Sequence, residues 1–469
     1  MQNIVKLLST CLLGCTTLSL YAAERPNVVV VTIDDLGAVD LACDGSALHE
    51  SPHLDRLARE GMRFTAAYAA APVCTPTRAA LMTGKHPARL GMTIWHEAAA
   101  SGPNPDEMLL PPRCEANLPH QEQTLAELLG QAGYATFHVG KWHLGDARHY
   151  PETHGFDINI GGTLWGAPPT YFWPYRGTIY REFRYVPGLE GGQPGEYLTD
   201  RLTTAAIELV KSATDRPFFL HLCYHSVHTP IEGKPETVEY FRQRIAAQKP
   251  KYHQNADYAA MIHSVDENIG RLLAALDESG RANNTLFIAT SDNGGVAHRT
   301  NWGVVTNNAP LRSGKGSLYE GGVRVPLMFR WPKVIAPGQE CGSRVVTQDL
   351  FATIIEAVGV AGELDDQSQD GFSLMPLLRD PASQLVRSAL FWHFPHYYYD
   401  TTPVSAVVRG RYKLLHFYED DRKELYDLID NPTESTDLAA AEPETVSQLS
   451  TLLKNWIRDV GARLPRTNN

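Results

Sequence analysis

Residues 27–33 read Asn-Val-Val-Val-Val-Thr-Ile, an almost unbroken run of β-branched side chains. A run with no polar face suits a strand buried on both sides, as in a parallel sheet covered by helices. Apolar runs of the same kind occur at 134–139, 218–223 and 286–290. Amphipathic, helix-like stretches lie at 54–60, 124–132, 198–211 and 257–279. Strands alternating with helices predict an α/β fold. Each strand also ends in polar residues. The first runs into Asp34-Asp35-Leu36-Gly37 and the second into Gly140-Lys141-Trp142-His143. The third leads to His225 and His228, and the fourth to Ser291-Asp292-Asn293-Gly294. Open α/β sheets bind ligands at the carboxyl ends of their strands. The four clusters are therefore expected to meet in one site.

Asp34, Asp35 and Asp292 with Asn293 offer three carboxylates and an amide oxygen. An all-oxygen set suits Ca²⁺ or Mg²⁺ rather than zinc. Asp-Asn-Gly alone is ordinary turn chemistry. It is the repeated layout, strand and then acid, that favours a metal.

Cys74-Thr75-Pro76-Thr77-Arg78 continues as Ala79-Ala80-Leu81-Met82-Thr83-Gly84-Lys85. Pro76 fits a first helical turn and Gly84 a helix stop. Cys74 then sits at a helix N-terminus, where backbone N–H groups favour an anion. The whole run, followed by Pro87 and Gly91, resembles the signature of the type I sulfatases of the alkaline phosphatase superfamily. Lys85 and Met82 depart from it, where arginine and leucine are commoner, and neither is an expected ligand.

The resemblance covers almost all of residues 24–469. It implies a large mixed, mostly parallel sheet flanked by helices, and a smaller C-terminal α+β domain containing an antiparallel sheet. It implies that a formylglycine-generating maturation enzyme oxidises Cys74 to formylglycine, whose hydrate attacks sulfur. One Ca²⁺ would be bound by Asp34, Asp35, Asp292, Asn293 and residue 74. Arg78, Lys141 and Lys315 match the family's cations. By the same resemblance, His143 and Lys141 contact the formylglycine, and His228 and Lys315 contact the sulfate and its leaving oxygen. Three carboxylates, a divalent ion and three basic side chains sum to +2, which attracts a sulfate ester and would attract a phosphate ester as well. The implied activity is hydrolysis of sulfate esters, with a sulfated carbohydrate as the expected substrate. Two other readings stand beside it: a phosphonate monoester or phosphodiester hydrolase on the same scaffold, and a non-catalytic exported glycan-binding protein. The last is weakened because every matched catalytic position is filled.

The net charge is −11, or −12 once Lys6 leaves with the leader, and no basic block is present. That argues against nucleic acid. Residues 1–23 carry Lys6, an apolar run and Ala22-Ala23, as an export signal does. The protein is expected outside the cytoplasm, periplasmic or extracellular, and the run is too short to span a bilayer. Leu12-Leu13-Gly14-Cys15 offers a lipoprotein alternative through Cys15. Cys43, Cys114, Cys223 and Cys341 allow three pairings, or free thiols. The catalytic domain is expected over 24–380 and a C-terminal subdomain over 381–469. The latter has a hairpin near Gly410, a strand at 424–428 and a helix at 444–460. Aromatic stretches at 164–186 and 391–399 suit sugar rings. Trp173, Trp302, Arg312 and His393 are the expected substrate contacts.

Overall fold

The computed structural model describes residues 25–213, 216–364 and 369–468. The expected export signal at 1–23, with Cys15, lies outside the described residues. The main sheet has eight strands. In chain order they are β1 (Asn27–Ile33), β2 (Met62–Phe64), β3 (Ala135–Gly140), β4 (Ile158–Ile160), β5 (Phe218–Tyr224), β6 (Thr285–Ser291), β7 (Leu327–Arg330) and β8 (Gln339–Cys341). Their order across the sheet is β8-β2-β7-β6-β1-β5-β3-β4. From β6 to β4 all neighbours are parallel, while β7 runs antiparallel to both β6 and β2. The sheet is thus mixed and mostly parallel.

The central strand explains its own composition. Val29, Val31 and Ile33 pack on one face of the sheet, and Val28 and Val30 on the other. Both faces are covered by helices, so no position in β1 after Asn27 is left for a solvent-facing polar side chain. On the first face lie α1 (Pro52–Glu60), the helix Leu198–Ser212 and the long helix Ala256–Glu278. On the second lie α2 (Cys74–Thr83) and the helices Leu125–Gln131 and Gln348–Ala357. Thr124 and Glu127 close a capping box at the start of Leu125–Gln131.

A separate four-stranded antiparallel sheet follows: β9 (Leu390–Phe394), β10 (Val404–Arg409), β11 (Tyr412–Phe417) and β12 (Lys423–Asp427). One face packs under the helix Pro443–Asp459 through Leu449 and Leu453. The other meets the body of the protein through Trp392, whose indole N–H donates to the Ala69 carbonyl at 2.8 Å. Cys43, Cys114, Cys223 and Cys341 are all free thiols. Among the described residues, no helix is long and apolar enough to cross a membrane.

Candidate active site

The carboxyl ends of β1, β3, β5 and β6 deliver Asp34 and Asp35, Lys141 and His143, His228, and Asp292 and Asn293 to one region. Backbone bonds lock the strand ends together. Asp34 N donates to Ser226 O at 2.9 Å, and Asp35 N donates to Asp292 Oδ1 at 3.2 Å. Cys74 is the first residue of α2, a helix in which every side chain is buried. Its Sγ lies 3.3 Å from His143 Nδ1. Lys315 comes from a glycine-rich loop. Gly316 there has φ +90°, and a Cβ on it would strike the Tyr398 ring at 1.9 Å, so only glycine fits.

The acids and bases interlock. Lys141 Nζ donates to Asp34 Oδ2 at 2.7 Å. Arg78 Nε donates to Asp292 Oδ2 at 2.9 Å, and Nη1 to the Lys141 carbonyl at 2.9 Å. Lys315 Nζ lies 2.7 and 2.9 Å from the two Asp35 oxygens. His228 Nε2 is 3.6 Å from Asp35 Oδ2, and its Nδ1 is 2.8 Å from the Thr229 carbonyl.

Three carboxylate oxygens of Asp34, Asp35 and Asp292 lie within 4.8 Å of one another, all buried. Burial pushes the Asp34 carboxyl well above its ordinary range, and Asp292 and Asp35 add to the push against the pull of Lys141. Burial also opposes ionisation of Asp292, but Arg78, Lys141 and Lys315 outweigh it and hold that carboxyl down. Asp34 Oδ1 and Asn293 Oδ1 are buried, with no hydrogen-bond partner among the described residues. Crowded acids with orphaned hard oxygens are what a divalent oxygen-seeking cation would satisfy. The donor set therefore fits Ca²⁺ or Mg²⁺. Asp35 and His143 have φ of 63° and 62°, a left-handed backbone uncommon outside glycine and concentrated at functional sites.

A cavity of about 820 Å³ opens onto Asp35, Cys74, His143, His228 and Lys315. Trp95, Tyr180, Trp302, Tyr398 and Tyr399 form aromatic walls, and Arg184, Arg299 and Asn301 add polar groups. Of the four expected substrate contacts, Trp302 lines this cavity. Three do not, and this corrects the sequence reading. Trp173 packs against the core under the sheet. Arg312 lies over the Tyr319 ring at 3.8 Å and donates to Tyr426 Oη and the Glu434 carbonyl. His393 is buried between Ser405 Oγ at 2.7 Å and the Arg463 carbonyl at 3.0 Å. Aromatic-rich sequence does not distinguish a packed ring from a cavity wall. His225 is buried nearby, and its carbonyl accepts from Tyr171 Oη. Sequence reasoning missed Glu97, which sits on His143. It reads as a common first-turn acid of the short helix His96–Ser101.

Comparison with known proteins finds sulfatases. The family model described as Sulfatase matches residues 26–360, and that described as N-sulphoglucosamine sulphohydrolase, C-terminal, matches residues 314–461. The chain is 32% identical over 421 residues to the N-acetylgalactosamine-6-sulfatase of Mus musculus, covering 86% of this chain and 74% of that one. It is 30% identical to a sulfatase of Formosa agariphila, with 96% and 92% covered. The crystal structure of Ps i-CgsB in complex with k-i-k-neocarrahexaose matches with a TM-score of 0.76 at 28% identity, covering 92% of this chain and 93% of that one.

Proposed function

Because this chain belongs to the sulfatase family and is a sulfuric ester hydrolase, we propose that it cleaves sulfated saccharides using a formylglycine made from Cys74 beside a bound Ca²⁺. One observation carries the reading: Cys74 shares its cavity with Asp35, one of three clustered buried acids, and beside them Asp34 Oδ1 and Asn293 Oδ1 are buried with no hydrogen-bond partner among the described residues. Asp34, Asp35, Asp292 and Asn293, with residue 74, would hold the ion. When bound, it supplies Lewis-acid stabilisation of the sulfate oxygens.

The chain's own residues do the rest. Lys141 and Arg78 neutralise Asp34 and Asp292, so the cluster can face an anion instead of repelling it. His143 Nδ1, beside position 74, takes a proton from a hydroxyl there. Lys315 Nζ and His228 Nε2 flank Asp35 at the cavity, where the leaving oxygen would sit. The Nδ1–H of His228 is taken up by the Thr229 carbonyl, which leaves a lone pair at Nε2. Lys315 is then the group with a proton to give the departing alcohol.

Aromatic faces beside Arg299 and Asn301 support a sugar, with flat apolar contacts and a few polar anchors. A relative's structure with a bound neocarrahexaose supports the same class. The reading also takes 24–380 as the catalytic domain, 381–469 as a subdomain and residues 1–23 as an export signal, and conversion of Cys74 requires a maturation enzyme.

A panel of defined sulfated saccharides, with steryl sulfate and an aryl phosphonate ester alongside, tests the substrate. The proposal expects kcat/KM for one saccharide to exceed that for the other two by at least about 10²-fold, roughly 2.7 kcal/mol of transition-state preference. A preference for steryl sulfate or phosphonate would overturn it.

A further inference from the structure

Glu97 is the second residue of the helix His96–Ser101. Its Oε2 lies 2.6 Å from His143 Nε2. Its Oε1 accepts the Gly166 N–H at 3.0 Å and lies 3.5 Å from Arg184 Nη2. Burial works against the charge, but His143 and the bond from Gly166 outweigh it and hold the carboxyl well below its usual range. A carboxylate only accepts hydrogen bonds, so the proton of neutral His143 sits on Nε2. Nδ1, 3.3 Å from Cys74 Sγ, then turns a lone pair to position 74. Gly166 packs against the ring so closely that a Cβ on it would lie 2.4 Å away.

We propose that Glu97 is a positioning residue that fixes the tautomer of His143, making His143 a proton acceptor towards residue 74. This rests on residue 74 being the hydrated nucleophile. In the transfer an O–H bond at residue 74 breaks, its electron pair stays on that oxygen, its proton forms Nδ1–H, and the resulting imidazolium lies against the Glu97 carboxylate. The proton passes to water when the product leaves.

Glu97→Gln inverts the arrangement without changing its shape. Gly166 N–H still requires an oxygen at Oε1, so the new NH₂ group faces His143 and donates to Nε2. The proton of His143 must then move to Nδ1. Nitrogen NMR of the selectively labelled, unconverted cysteine protein reads the tautomer, whatever becomes of residue 74 afterwards. The expected result is Nε2–H in the parent and Nδ1–H in E97Q, with an unchanged melting temperature. In converted enzyme, E97Q is expected to lower kcat on the order of 10²–10⁴-fold with little change in KM, the scale of a wrong tautomer in a hydrolase triad. The inference is overturned if the tautomer stays Nε2–H in E97Q, or if it inverts and kcat moves less than about threefold. If converted parent enzyme has no turnover at all, the reading of residue 74 fails instead, and the tautomer measurement still decides the role of Glu97.

Discussion

Lys315 and His228 flank the same carboxylate, yet they carry protons differently. His228 spends its Nδ1–H on the Thr229 carbonyl, while Lys315 keeps an ammonium beside Asp35 at 2.7 Å. A group that protonates the leaving oxygen matters most when that oxygen is a poor leaving group. Lys315→Ala should therefore lower kcat for a saccharide sulfate at least about tenfold more than for an aryl sulfate, measured side by side. Equal losses would remove Lys315 from that role. Asp40 shows a different use of a buried acid. It accepts from Gly37 N, Tyr258 Oη and Thr306 Oγ1, and His253 Nε2 lies 3.3 Å away, so it braces the turn that presents Asp35. Burial favours its neutral form, but these bonds and His49 outweigh burial and hold its pKa at about 2, against 3.8 normally. The unfolded chain thus binds the extra proton first as pH falls. The resulting stability, about 2 kcal/mol, is present above pH 3.8 and lost between 3.8 and 2. Burial pulls the pKa of His253 down, but Asp40 outweighs burial and raises it. The stability gap between parent and Asp40→Asn should therefore grow as pH falls through about 7, hold from about 6 to 4 and shrink below, which thermal melts across that range would read. The acids and bases at the strand ends were legible because each followed an apolar run. Glu97 and Asp40 were not, because their work depends on His143 and His253, far away in sequence.

At the level of elements, the loop carrying Lys315 is held by the C-terminal sheet. Glu320, which follows it, accepts from Lys413 Nζ of β11 at 2.9 Å and from Tyr68 Oη at 2.9 Å. Glu434 Oε1 lies 2.9 Å from the same ammonium, and Glu434 Oε2 accepts the Glu320 N–H. Lys413 is fully buried, so Lys413→Ala strips the ammonium shared by Glu434 and Glu320 out of the interior, and Glu320 keeps only the Arg324 guanidinium at 3.1 Å to offset its charge. That should cost roughly 3–5 kcal/mol, read from denaturant unfolding, and lower kcat by loosening Lys315. A change under about 1 kcal/mol would mean that the network does not couple sheet to loop. The four parallel strands that carry the site could be read to within a residue, 286–290 being expected where Thr285–Ser291 is found, whereas the short strands β2, β4, β7 and β8 were not foreseen. Unalternating β-branched runs have few other folds open to them. The aromatic stretches were harder to read. Trp173, Arg312 and His393 became packing and bracing groups, because ring composition does not encode which face meets the cavity.

On the scale of the whole molecule, the cavity is shared. Its floor comes from the ends of β1, β3, β5 and β6 and the start of α2, while Tyr397, Tyr398 and Tyr399 reach it from the connection between β9 and β10. Its walls are shared as well, by Trp95, Tyr180 and Trp302 from the part that carries the parallel sheet and by the three tyrosines from the part that carries the antiparallel one. The sequence made the division into a parallel sheet and a later antiparallel one visible. Their contact through Trp392 and Ala69 was not visible, since it joins residues over three hundred positions apart. The proposed reaction centre is position 74. The decisive measurement is turnover of a sulfate ester per protein molecule, set against the fraction of the residue-74 peptide whose mass is that of formylglycine. The account predicts turnover proportional to that fraction and none from protein that is wholly cysteine. Full turnover from unconverted Cys74 would contradict it.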